Sequence, residues 1–114
     1  MNLLARVSEE PRGDLTVVTV EGEVDASNAS ELGGRLRAAL TNRSMALVVD
    51  LAATTYLDSA GINLLYAVGS ELRARQQELH LVVVPGSPIE RTLAIVGANR
   101  AFPVHANRDE ALAT

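Results

Sequence analysis

The residues with the types and spacing to do chemistry stand in YLDSAGINLL, Tyr56 to Leu65, where Asp58 and Ser59 directly precede an apolar helical pattern. A serine in that place can cap a helix, attack a substrate or accept a phosphate. Capping suits both residues, because Asp and Ser oxygens accept the backbone N–H groups that a helix start leaves unpaired. Nucleophilic attack suits Ser59 poorly. A hydrolase elbow, G-x-S-x-G, has a glycine two residues before the serine, and here Leu57 holds that place. A triad also needs a histidine as base, and no signal in the sequence brings His80 or His105 to Ser59. Capping alone leaves Ala60 and Gly61 unexplained. Glycine in a first turn costs helix stability, and the pair is expected to leave the Ser59 hydroxyl unscreened, open to a macromolecule. On this reading Gly61→Val weakens partner binding more than it weakens the fold.

Several elements must hold these residues. Leu3 to Glu9 and Leu15 to Glu21 alternate apolar and polar side chains, as half-buried strands do, and EPRGD between them predicts a hairpin turn. DASNASELGGRLRAAL predicts a helix with Ala29, Leu32, Leu36, Ala39 and Leu40 on one face, opened by a capping box of Asn28 and Glu31. Gly33 and Gly34 weaken that helix and are read as a close approach of helix to sheet. MALVVDL, Met45 to Leu51, is nearly continuous apolar sequence and predicts an interior strand covered on both faces.

The second helix follows Ser59, with Ile62, Leu65, Val68 and Leu72 on one face. LHLVVV, Leu79 to Val84, predicts another interior strand. PGSPIERTLAIVG gives a turn and then a helix capped by Ser87, with Pro88 at its first position and Gly97 at its end. FPVH is a short edge strand, and NRDEALA a last helical turn or two. The order β-β-α-β-α-β-α-(β)-α implies one α/β domain over residues 1–114, a mixed sheet with parallel interior strands packed against helices. Asp50 ends one of those strands near Asp58. Nothing beside them resembles a substrate pocket, so a structural role ranks above an acid and base pair.

Composition narrows the chemistry further. With 114 residues, 47% hydrophobic and 21% charged, the chain has the size and makeup of one globular domain. The absence of cysteine excludes disulfides, thiol catalysis and cysteine-rich zinc sites. A net charge of −4 with scattered arginines offers no basic face to nucleic acid or to an anionic membrane. Phe102, Tyr56 and Tyr66 are the only aromatics, too few to stack single-stranded bases. No phosphate-cradling glycine loop is present. His80 and His105 lie in strand-like contexts without a partner at helical spacing and are read as core or edge residues, so neither metal nor cofactor is expected. No apolar run approaches the roughly 20 residues of a membrane span, and MNLLARVSEE is too short and polar for a signal or anchor. A soluble cytoplasmic domain is the expectation.

Taken together the motifs resemble a known family. YLDSAGINLL is similar to the D-[ST]-x-G-[LI] segment of the bacterial anti-sigma factor antagonists, whose fold is the STAS domain. VEGEVDASNASEL resembles that family's G-E-[LIV]-D turn, LVVDLAATTYLDSAG its strand and phosphorylation loop, and LAIVGANRAFPVHANRDEALA its closing segment. Each motif is short, but three in the right order and spacing are specific. By position, Ser59 matches the serine that the family presents to a kinase, Asp58 the acid before it, and Asp25 the acid of the turn near that loop. Ala60, Gly61 and Asn63 complete the partner surface that the resemblance implies. Asn63 stands where many relatives carry a small residue, and Ala98 and Ala101 replace larger apolar ones.

The resemblance implies a switch by partner exchange and not an enzyme. The unmodified antagonist would bind an anti-sigma factor that is itself a serine kinase, releasing a sigma factor. The kinase would then phosphorylate Ser59 and dissolve the complex, and a phosphoserine phosphatase would reset it. STAS domains that serve as adaptor subunits of lipid-type membrane transporter ATPases share the D-[ST]-x-G pattern. The free-standing length and the lack of a basic surface favour the sigma pathway over that alternative.

Overall fold

The computed structural model describes residues 5–40 and 45–113. An antiparallel hairpin of β1 (Ala5–Arg12) and β2 (Leu15–Val24) opens the fold, and its turn passes through Gly13 at φ +64°. Leu3 and Leu4 of the expected first strand lie outside the described residues. That strand continues past Glu9 to Arg12, because pairing with β2 carries the backbone to the turn in spite of Pro11. After the hairpin come α1 (Ala29–Ala39), β3 (Ala46–Asp50), β4 (Thr54–Leu57), α2 (Ser59–Ala74), β5 (Glu78–Val82), α3 (Pro88–Ile95), α4 (Ala98–Ala101), β6 (Val104–His105) and α5 (Arg108–Leu112).

The strand order is β1-β2-β3-β5-β6, and every pairing after the hairpin is parallel. The expected mixed sheet with parallel interior strands is therefore present. Two elements differ from the sequence reading. β4 runs beside β2 beyond the end of β3, joined through Gly22↔Thr54 and Val24↔Leu57. The backbone reaches this second register by a sideways step at Leu51 to Ala53, where the Gly22 N–H donates to the Ala53 carbonyl at 3.0 Å. A four-residue β4 has no alternation long enough to announce itself next to the stronger helix signal at Asp58. The single turn of α4 after Gly97 is equally short.

Period-two alternation divides the sheet's side chains between two faces. Val18, Val20, Leu47, Val49, Leu79 and Leu81 join the main core beneath α1, α2 and α3. Val17, Val48 and Val82 point the other way, where, among the described residues, Ala111 of α5 completes the buried cluster. Both faces of β3 are covered, and all five of its residues are buried, which explains its unbroken apolar sequence. Burying each such Val or Leu stabilises the fold by about 1.5–3 kcal/mol relative to exposure, so an aliphatic core suffices. The Ser87 cap and the Pro88 start of α3 are as expected, with Ser87 Oγ accepting from the Glu90 N–H at 3.2 Å.

Two expectations about α1 need correction. Asn28 and Glu31 form no capping box, because the Asn28 side chain makes no cap bond and serves the preceding loop instead. Gly33 allows a close approach of α1 to α2, and not to the sheet. A Cβ there would lie 2.6 Å from Leu64 Cδ1, whereas one on exposed Gly34 would meet nothing. Arg37 and Glu71 join the same two helices at the surface through two bonds of 2.9 and 2.7 Å, and this pairing holds the Glu71 carboxyl below its ordinary pKa.

The end of α2 carries a backbone cost. Gln76 follows the C-cap Arg75 at φ +61°, with its N–H on the Arg73 carbonyl at 3.0 Å and the Gln77 N–H on Leu72 at 2.8 Å. This is the paired-bond helix ending that ordinarily takes glycine, since a Cβ is crowded in the left-handed region. Gln76→Gly is expected to raise stability by about 0.5–1 kcal/mol, the left-handed cost less the added chain entropy of glycine. Urea unfolding checks this as a higher midpoint at unchanged slope.

Candidate functional site

The C-terminal end of β2 and its extension partner β4 builds the site. Val24 pairs with Leu57, and the Asp58 N–H donates to the Val24 carbonyl at 3.2 Å. The two chains thus leave the sheet side by side, one into the loop bearing Asp25 and the other into α2. Asp58 takes the capping role. Its Oδ1 accepts from the Ala60 N–H at 2.9 Å and from the Gly61 N–H at 3.1 Å. With the aspartate as cap, Ser59 is the first helical residue and its side chain is exposed.

The opposing loop is held by its own polar atoms. Asp25 Oδ1 accepts from the Ser27 N–H at 2.8 Å and the Ser27 hydroxyl at 2.5 Å, and these bonds hold its carboxyl below the usual carboxylate range. Asn28 is buried at 5% exposure. Its Oδ1 accepts from the Asp25 N–H, and its Nδ2 donates to the Glu23 carbonyl, both at 2.9 Å. Sequence reasoning noticed Asn28 but gave it the wrong task. The D-A-S spacing from Asp25 to Ser27 does carry the signal of an aspartate turn.

The structure thus brings Asp25, Asp58, Ser59 and Ala60 to one end of the sheet, with Asn63 exposed one turn along α2. Gly61 departs from its expected place. It is buried, and a Cβ on it would lie 2.5 Å from Leu57 Cδ1 and 3.0 Å from Val24 Cγ1. The glycine therefore lets the first turn of α2 settle onto the paired strand ends, and the open surface beside Ser59 is not its doing. Asp50 is also separate from Asp58. It turns to the α5 face, where its Oδ2 accepts from Arg108 at 2.9 Å and its Oδ1 from the Ala52 N–H at 2.9 Å. No acid and base pair exists between Asp50 and Asp58.

The histidines lie on that far face too, as core and edge residues of β5 and β6. Both ring nitrogens of His80 are engaged, Nδ1 with His105 Nε2 and Nε2 with Glu78 Oε1, each at 2.9 Å. Neither histidine serves Ser59 as a base. Among the described residues no group of three metal-ligating side chains forms a site, and no helix is long and apolar enough to cross a membrane.

The fold and this helix-start site define a class, and comparison with known proteins places the chain in it. The STAS domain family matches residues 6–111, and the chain belongs to that family. It is 29% identical over 99 residues to the putative anti-sigma factor antagonist BtrV of Bordetella bronchiseptica, covering 87% of this chain and 84% of that protein. It is 28% identical to the anti-sigma-F factor antagonist RsfB of Mycobacterium tuberculosis, covering 86% and 79%. The crystal structure of an anti-sigma factor antagonist from Mycobacterium paratuberculosis superposes with a TM-score of 0.85 at 28% identity, covering 96% of this chain and 92% of that one.

The burial of Gly61 reverses the expectation for its substitution. Gly61→Val should destabilise the fold by about 2 kcal/mol or more, since overpacking costs roughly 1–3 kcal/mol and a branched side chain recovers only a few tenths in helix propensity. Asp58→Ala, which removes the cap, should cost about 1 kcal/mol. Ser59→Ala should change little. Chemical unfolding of the three variants measures this ranking directly.

Proposed function

We propose that this chain is an anti-sigma factor antagonist whose binding to an anti-sigma factor serine kinase in the cytoplasm is switched off by phosphorylation of Ser59. The relatives' names support the antagonist reading over a transporter adaptor. The single observation that carries the switch is the division of labour at the start of α2. Asp58 caps the helix, so the exposed Ser59 hydroxyl is available to a kinase without any cost to the fold. The chain is then the substrate in the cycle and not an enzyme, and a phosphoserine phosphatase returns it to the binding form. Asp25, Asp58, Ser59, Ala60 and Asn63 form the partner surface, with Gly61 supporting it from below.

Local electrostatics favour a switch at the interface over one by unfolding. A phosphoserine brings about −1.5 to −2 charges at neutral pH. The dipoles and free N–H groups of a helix N-terminus stabilise that charge. Asp58 opposes it, by roughly 0.7 kcal/mol per pair of unit charges at ~6 Å in water-like dielectric. These effects largely cancel in the free domain. A partner packed over Ala60 must accommodate a solvated dianion with no such compensation.

Phosphorylated protein is therefore expected to melt within a few degrees of the unmodified form and to bind its kinase at least a hundredfold more weakly. Ser59→Ala should bind normally and take up no phosphate. Thermal melting, partner titration and mass spectrometry of the modified residue test each part. Equal affinity of the two forms would sink the switch, and phosphate on another serine would sink the site.

A further inference from the structure

The segment from Val104 to Leu112 closes the side of the sheet opposite Ser59. Strand β6 contributes two residues, held by the Leu81 N–H on the Pro103 carbonyl and the Val83 N–H on the His105 carbonyl, both at 2.9 Å. Helix α5 has five residues and buries only Ala111 fully, against Val17, Val48 and Val82. A cavity of about 280 Å³ opens beside it, lined in part by Leu15, Ala46, Val48, His80 and Ala111. Arg108 reaches Asp50 at 2.9 Å and Thr19 at 2.7 Å. A further tie is the imidazole pair. The His80 and His105 rings lie nearly in one plane, edge to edge, with centroids 5.1 Å apart and planes within 4°, and Nδ1 of His80 meets Nε2 of His105 at 2.9 Å.

We propose that Val104–Leu112 is an acid-released clasp, closed over the sheet while the His80–His105 pair carries at most one proton beyond neutrality and released as the pair takes up a second. Counting hydrogens gives the reason. An ionised Glu78 carboxylate only accepts, so His80 Nε2 bears a hydrogen and donates to it. Neutral His80 Nδ1 is then a lone pair, and His105 Nε2 donates to it. One further proton fits on His105 Nδ1 and leaves that bond intact. With both rings protonated, two N–H groups point at each other at hydrogen-bond distance between two cations set edge to edge. The bond cannot survive that state.

The surroundings set the direction. Glu78 on β5 faces His80 at 2.9 Å, and Glu110 on α5 favours charge on His105. Val48, the β3 residue paired with His80, brings no charge, and Asp50 on the same strand is bound to Arg108. Burial first, and the His80 ring second, outweigh Glu110 and hold His105 below its ordinary pKa. The closed form therefore resists protonation, while an opened segment takes up protons near the free-histidine value of about 6.5. Closure is at full strength above that pH and is lost as the pH falls through it toward the lower closed-state value. A five-residue helix does not persist off its support. Release would uncover Val17, Val48 and Val82 on the face away from Ser59, so it acts separately from phosphorylation.

Amide hydrogen exchange of the full chain between pH 7.5 and 5.0, corrected for intrinsic rates, reads the opening. Protection at Leu81, Val83 and Ala111 is expected to fall at least tenfold more than at Val48. In His105→Gln, which gains no charge, that difference should shrink below threefold. Glu78→Gln, at an exposed position, removes the anion beside the pair in both the closed and the opened form, so the second proton is taken up less readily and the onset of release should move to lower pH. No excess loss in the wild type, or an undiminished one in His105→Gln, overturns the clasp. Should His105→Gln fail to fold, Glu78→Gln decides alone, and an onset that stays put or moves up refutes the idea.

Discussion

The contact of Gly61 with the paired ends of β2 and β4 governs the rest of the site. Because no Cβ intervenes, the first turn of α2 rests on Leu57 and Val24. That seat fixes the helix axis relative to the sheet and leaves Asp58 directly before the free N–H groups that it caps. Ser59, next in line, is turned outward by the same geometry. The jog from β3 into β4 makes the seat possible, since only the extra register beside β2 puts Leu57 opposite Val24. The site depends on a residue with no side chain, two positions from the exposed Ser59.

Much of this was legible in the sequence, for identifiable reasons. Long elements with a strong pattern declared themselves. β3 is buried on both sides and reads as continuous apolar sequence, and α2 places Ile62, Leu65, Val68 and Leu72 on one buried face. Ser87 and Pro88 mark the start of α3 because their chemistry suits only that position. The short pieces did not declare themselves. β4 and α4 have four residues each, and tertiary pairing makes them, not local preference. Burial was the other blind spot. Ala60 and Gly61 look alike on paper as small neighbours of Ser59, yet one lies near the surface and the other against the sheet. Asn28 has the composition of a cap, but the Asp25 N–H and the Glu23 carbonyl are nearer claims on its amide.

Polar groups in this fold act mainly as pins at chain reversals. Asn28 holds the loop of Asp25, Asp58 holds the start of α2, and Arg108 holds α5 to Asp50 and Thr19. Each satisfies backbone or buried atoms that would otherwise lose their water partners without replacement. The pins are divided between the two sides of the sheet. The loop and helix pins serve the end that bears Ser59, while Arg108 and the imidazole pair serve the thin layer behind it.

Strand β1 stands at the edge of the sheet, where backbone groups that face away from β2 form a template on which another chain could add a strand. Its sequence discourages that. Pro11 has no N–H to offer, and Arg6, Glu9, Glu10 and Arg12 are all exposed, with Glu10 and Arg12 paired at 2.7 Å. An incoming strand would have to strip water from these charges to reach the backbone. The β1 edge is thereby poorly suited to cross-β growth and aggregation.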